Sequence, residues 1–173
     1  HQIGEMEAIV DFVRALGCKR SSFSAIHPAG RAIGRPDLWM TKDQKKKFIS
    51  EIYRLKDKYH GFQVSTNDPL KCLLRDRHDT GKEGELVFDG CGAGAITFNV
   101  GADGTMTPCA LLPIPMMNVF GMTIDEMTEA YRQNDVVKNM LDMNLKGKCG
   151  SCSLKYQCGG CRVRPYIRSG DYL

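Results

Sequence analysis

Apolar positions in the first third of the chain recur at helical spacing, broken twice by short extended runs. Within residues 2–17, Ile3, Met6, Ile9 with Val10, Val13 and Leu16 fall three or four apart. This predicts an amphipathic helix with Gly17 as its stop. Residues 21–26 read as a strand ending at His27-Pro28, and a Gly- and Pro-punctuated loop follows to Leu38. Thr41 caps a second helix and Gln44 completes a capping box. Phe48, Ile52, Leu55 and Tyr59 form its stripe, and Gly61 ends it before a brief strand at 62–66. Helix, strand, helix, strand predicts α/β units on a parallel sheet.

The pattern changes after Pro69. Residues 70–94 are loop-like and rich in Asp, Arg and Gly. Residues 95–100 alternate as a strand, 101–104 supply a turn and 105–109 return, which predicts a β-hairpin. Thr123 with Glu126 starts a helix to about Gln133, and Asp135 is expected to cap another to about Met143. The chain therefore divides into an α/β part, 1–69, and a cysteine-rich part, 70–173. No solenoid-period repeat or low-complexity segment interrupts either.

The 173 residues hold no apolar run near the ~20 that span a bilayer, and no charged-then-apolar signal segment. A reducing, cytoplasmic setting without a membrane partner is the resulting expectation. There, eight cysteines point to metal or redox chemistry rather than disulfides. The net charge is +4, yet from Lys146 onward six basic residues face Asp171 alone. Positive charge offsetting an anionic thiolate group, or an ordinary solvated surface, explains this tail better than a nucleic-acid partner does.

Four cysteines, Cys149, Cys152, Cys158 and Cys161, fall in the spacing C-x2-C-x5-C-x2-C. Two short arms around a small loop let four sulfurs converge, which suits zinc or an iron–sulfur cluster. A thioredoxin-like pair would need a strand before the motif, and only a basic, Gly-containing loop precedes Cys149. This segment alone does not separate zinc from iron. Cys91 and Cys109 bracket the hairpin as C-x12-G-x4-C, with Gly104 at the turn. A zinc site completed by 149–161 would have no use for them. Their plain reading is two buried structural thiols, since free cysteine packs like a small hydrophobe.

Together the two patterns resemble the SPASM domain, the auxiliary cluster-binding extension of radical SAM enzymes. Cys91-Gly92-Ala93-Gly94, Thr107-Pro108-Cys109-Ala110-Leu111-Leu112-Pro113, Cys158-Gly159-Gly160-Cys161-Arg162 and Gly170-Asp171-Tyr172-Leu173 are similar to members of haem and haem-d-type biosynthesis. The upstream part, through Pro28-Ala29-Gly30-Arg31 and the Thr41 helix, is similar to the closing units of that family's partial (β/α) barrel. The resemblance implies a C-terminal fragment: the end of a radical SAM barrel, then a small SPASM module with a β-hairpin and helices. It implies that Cys149, Cys152 and Cys158 hold an outer auxiliary 4Fe-4S cluster, and Cys91, Cys109 and Cys161 an inner one, with Cys72 a further candidate ligand. Cys18, far from the motif, is read as structural. The C-x3-C-x2-C that binds the S-adenosylmethionine-cleaving cluster is absent from this sequence, so the fragment alone is expected to be inactive.

In the intact enzyme the resemblance implies oxidative decarboxylation of tetrapyrrole propionates, with S-adenosylmethionine as cofactor and a ferredoxin or flavodoxin as electron donor. A ribosomally made peptide or protein side chain is the alternative substrate. A zinc-stapled binding module is the alternative of a different class, and zinc can also replace iron in thiolate sites. Arg31, where a barrel strand would end, could clamp a carboxylate of S-adenosylmethionine or substrate; otherwise it reaches solvent from a turn. No catalytic residue is assigned. The glycines of 90–94 lack the Lys-Ser/Thr of a phosphate loop, and His27, His60 and His78 show no mutual ligand spacing. The dense methionines read as core, and residues 75–79 as a solvated charged loop.

Overall fold

Helix α1 (Met6–Ala15) follows a single 3-10 turn, Ile3–Glu5, and leads into strand β1 (Arg20–Ser22). Helix α2 (Lys42–Lys58) crosses over to strand β2 (Gln63–Ser65), which pairs with β1 in parallel, Ser21 opposite Val64. The computed structural model describes residues 2–74 and 90–173, without the side chains of 72–74. The charged run at 75–79 lies outside the described residues.

The parallel pair with its helical crossover agrees with the α/β expectation. Strand β1 is shorter than the 21–26 predicted, because its partner ends at Ser65. Phe23 N–H still donates to Ser65 O at 3.0 Å, and beyond it only a side-chain bond, Ser24 Oγ to Asn67 Oδ1 at 2.9 Å, continues the contact. Both halves of the Thr41–Gln44 capping box are formed. Met6 and Val10 of α1, Phe48, Ile49, Ile52 and Leu55 of α2, and Val64 of β2 make a closed apolar core.

The hairpin of the second half is also present but shorter. Strand β3 (Asn99–Val100) pairs antiparallel with β4 (Thr105–Thr107). Residues 95–98 do not extend the strand, because the Gly92 carbonyl gathers the N–H groups of Ala95, Ile96 and Thr97 into tight turns. A third strand absent from the sequence expectation, β5 (Met117–Asn118), pairs with β4, and Asn118 Nδ2 donates to Asp103 O across the turn at 2.8 Å.

Helix α3 (Ile124–Gln133) starts at the expected Thr123–Glu126 capping box. Asn134, not Asp135, caps α4 (Asp135–Leu141): its Oδ1 accepts from the Val136 and Val137 amides, leaving Asp135 as the first helical residue. The segment 145–173 carries three helices the pattern did not predict: α5 (Gly147–Gly150), α6 (Lys155–Cys158) and α7 (Val163–Ser169). A smaller second core gathers Ala93, Leu112, Met140 and Val163 around Ala29, a residue of the first half. No helix among the described residues is long and apolar enough to cross a membrane.

Candidate metal centre

Three cysteines from two distant parts of the chain meet on the second core. Cys91, Cys109 and Cys161 all pack against the cluster formed by Ala29, Ala93, Leu112, Met140 and Val163, and each is half-buried. Cys91 arrives there because its N–H donates to Cys158 O at 3.1 Å. The preceding Gly90 runs so close that a Cβ would stand 2.1 Å from the same carbonyl oxygen. Cys109 closes the hairpin's return strand in a turn, with Leu112 N–H donating to its carbonyl at 3.0 Å and Leu111 N–H to its Sγ at 3.4 Å. Cys161 turns inward because Gly159 and Gly160 both take left-handed backbone, φ 62 and 61, after α6. Side chains rarely adopt two such residues in succession.

The surroundings of Cys161 are apolar and then charged. Burial pushes its thiol pKa up, opposed by the Arg164 backbone amide and raised further by the neighbouring Cys91. The His27 ring Nδ1 stands 3.9 Å from its Sγ. Burial, with Arg164 nearby, lowers the His27 pKa, favouring the neutral imidazole. Behind this pair lies the fully buried Asp68, ion-paired with Lys45 and 3.5 Å from Arg164 Nη2. His27, Lys45, Asp68 and Arg164 were not foreseen as a group. Pairing over 96 residues, as between Asp68 and Arg164, leaves no local pattern in the sequence.

Of the other three cysteines, two lie on the outside. Cys149 and Cys152 are exposed, and Cys158 is half-buried with its Sγ 4.0 Å from Pro69 O. Successive turns set them out: Cys152 N–H donates to Cys149 O at 3.3 Å and Cys158 N–H to Leu154 O at 2.8 Å. The C-x2-C-x5-C-x2-C run is thus divided, with Cys161 facing the hairpin cysteines. Zinc ligation at about 2.3 Å would bring four sulfurs to within about 3.8 Å of one another. Among the described residues, no three His, Cys, Asp or Glu side chains converge to hold a single metal ion, and all seven described cysteines are free thiols.

One buried cation tests whether an anionic thiolate-bound group fits here. Arg162 is 3% exposed, and its Nη1 donates to Asn144 O at 3.3 Å and Tyr172 O at 3.4 Å. No carboxylate pairs with it among the described residues. Burial lowers its pKa, and Cys91, Tyr172 and Cys149 act against that lowering. A buried guanidinium is costly without a counter-charge, so an anionic group held by these soft sulfur donors suits the site.

The remaining candidates are dispersed. Cys72 lies in a 3-10 helix, Pro69–Leu74, with its side chain outside the described residues. Cys18 is exposed and belongs to neither core. Arg31 is exposed in the turn Gly30–Ala32, two residues beyond the Ala29 wall of the cysteine core. A concavity of 710 Å³ is open, lies along α2 beside Asp43, Lys46 and Glu51, and shares no lining residue with the cysteines.

Two curated relatives share sequence with this chain. An AdoMet-dependent heme synthase of Methanosarcina barkeri is 37% identical over 90 residues, covering 51% of this chain and 25% of the relative. An AdoMet-dependent heme synthase of Nitratidesulfovibrio vulgaris is 32% identical over 182 residues, covering 90% of this chain and 46% of the relative. The chain therefore spans less than half the length of either. No protein-family model and no solved structure matches it.

Proposed function

We propose that this chain, which resembles AdoMet-dependent haem synthases of the radical SAM type over 90% of its length, is the end of a partial barrel and the auxiliary iron–sulfur portion of such an enzyme. The observation that carries the reading is the meeting of Cys91, Cys109 and Cys161 on one apolar core, away from the exposed Cys149 and Cys152. That division suits two thiolate sets better than one closed zinc staple.

The residues have separate tasks. Cys91, Cys109 and Cys161 would hold an inner 4Fe-4S cluster behind Leu112 and Ala93, which keep water from it. Cys149, Cys152 and Cys158 would hold an outer one near the surface. Bound there, such clusters supply one-electron transfer at potentials between roughly −700 and +450 mV, set by charge, hydrogen bonding and exposure. Lys148 and Lys155, beside the outer cysteines, present a positive surface to an acidic electron carrier such as a ferredoxin or flavodoxin. Arg31 offers a guanidinium to a carboxylate of S-adenosylmethionine or of a tetrapyrrole propionate. The reaction of the whole enzyme is then oxidative loss of propionate carboxylates.

Iron, acid-labile sulfide and zinc per chain, measured on protein purified without oxygen, test the reading. Sulfide matching iron is expected. Replacing Cys91 or Cys161 by Ala should each remove the same cluster of about four irons. The paramagnetic signal left after reduction should be that of the set containing Cys149. One zinc per chain, without sulfide and without iron uptake on anaerobic reconstitution, would reject it in favour of a structural staple.

A further inference from the structure

His27 reaches the cysteine core from the other half of the molecule. The chain leaves β1 at Ser22 and bends at Pro28, where Ala29 N–H donates back to His27 O at 2.8 Å. A bond between residues two apart closes a γ-turn, whose centre suits the fixed φ of proline. The bend sets Ala29 into the wall of the cysteine core and leaves the His27 ring half-buried. There the ring Nδ1 stands 3.9 Å from the Sγ of Cys161, a residue 134 positions away in sequence.

Among the described residues, Cys161 Sγ is the hydrogen-bonding partner of this ring. The carboxylate behind the pair is already engaged: Asp68 Oδ2 meets Lys45 and Arg164, and its Oδ1 accepts from the Leu70 amide. Cys109 is served differently. Its sulfur meets Leu111 N–H at 3.4 Å, a donor supplied by its own turn. Cys161 instead meets a side chain carried in by the loop after β1.

A thiolate, not a thiol, ligates metal, so a bound Cys161 has no proton to give and the ring must be the donor. That places the ring proton on Nδ1. Donation also explains the spacing better than ligation does. Ligands on different irons of one cluster are held apart by the cluster itself, whereas this nitrogen and sulfur are neighbours.

We propose that His27 is a positioning residue of the inner site: its Nδ1–H donates to Cys161 Sγ, holding that sulfur toward Cys91 and Cys109 and favouring the reduced state of the group the three bind. This rests on the reading of those cysteines as iron–sulfur ligands. A reduced cluster carries more negative charge on its sulfurs, so a donor stabilises it more than the oxidised form and raises the potential. The effect belongs to the inner site alone, since the exposed Cys149 and Cys152 take no part in the contact.

His27→Leu removes the donor, and His27→Gln restores an N–H. Both are compared with the parent as full-length protein reconstituted with iron and sulfide, and all three should hold the same iron. In His27→Leu, the reduced share of the cluster that Cys91→Ala removes should fall about tenfold at a fixed potential, a shift of about 59 mV for one electron. The other cluster's potential should not move, and His27→Gln should recover most of the shift. Pulsed paramagnetic resonance of the reduced parent, with isotopically labelled histidine, should show one weakly coupled nitrogen. A strongly coupled nitrogen in the parent would overturn the proposal in favour of ligation by His27. An unmoved inner potential in His27→Leu, or loss of the inner iron in both variants alike, would overturn it in favour of plain packing. These outcomes leave the cluster reading intact. A parent protein that takes up no iron or sulfide would overturn that reading, and this proposal with it.

Discussion

Asp68 is a polar link between the two halves. It is fully buried, pairs with Lys45 of α2, accepts from the Leu70 amide at 3.0 Å and stands 3.5 Å from Arg164 of α7. Burial alone would raise its carboxyl pKa; the Lys45 ammonium, the Leu70 amide and Arg164 outweigh burial and hold it below the ordinary carboxylate range. A carboxyl depressed in the folded state contributes stability that is complete above its unfolded value, about 3.9, and lost as pH falls through the lower folded value. Asp68→Ala leaves Lys45 buried and unpaired, which should cost about 3–5 kcal/mol in urea unfolding at neutral pH. The variant's stability should also fall less steeply than the parent's below about pH 4. A loss under about 1 kcal/mol, typical of a surface pair, would show that Asp68 does not fasten the two halves.

The segment that leads into the hairpin runs hard against the cysteine loop at Gly90. A Cβ on Gly90 would meet Cys158 O at 2.1 Å and Gln157 O at 2.7 Å, both backbone atoms that cannot swing aside. Gly90→Ala should therefore push Cys91 away from Cys161 while leaving Cys149 and Cys152 in place. Iron analysis of the variant should show the loss of one cluster's iron, not both; retention of all the iron would mean that the Cys91–Cys158 contact does not set the inner site. The glycine was visible in the sequence as a cluster at 90–94, but its contact lies 68 residues away and no local pattern encodes it. Caps are the opposite case. Thr41 with Gln44, and Thr123 with Glu126, lie three residues apart and act on their own helix, so both helix starts were legible. Asn134 and Asp135 are both good caps, and adjacency alone could not choose between them. Helices of four residues, such as α5 and α6, are too short to display a period, and a two-residue strand such as β5 is too short to display alternation.

At the scale of the molecule, the two cores differ in what they need. The first is closed by ten buried residues drawn from α1, α2, β2 and the loops between, and its parts are close in sequence. Its legibility followed from that: helical stripes and the strand after each were enough. Among the described residues the second holds five buried ones, and half-buried Cys91, Cys109 and Cys161 fill out its wall. So small an apolar centre resembles those of miniature domains that depend on a metal or disulfide for stability. The partition of the cysteines could be inferred only from resemblance, since spacing placed Cys161 with Cys149 and packing places it with Cys91. If ligand binding supplies what the second core lacks, anaerobic chelation should act on one half alone. Amide exchange should speed up in residues 90–112 and 145–173, while α2, β1 and β2 keep their protection. The Asp68–Arg164 contact and Ala29 are where any loosening would first cross into the α/β half, so Asp68→Ala should extend the affected region into 20–29. Uniform loss of protection on chelation would instead make the two cores a single cooperative unit.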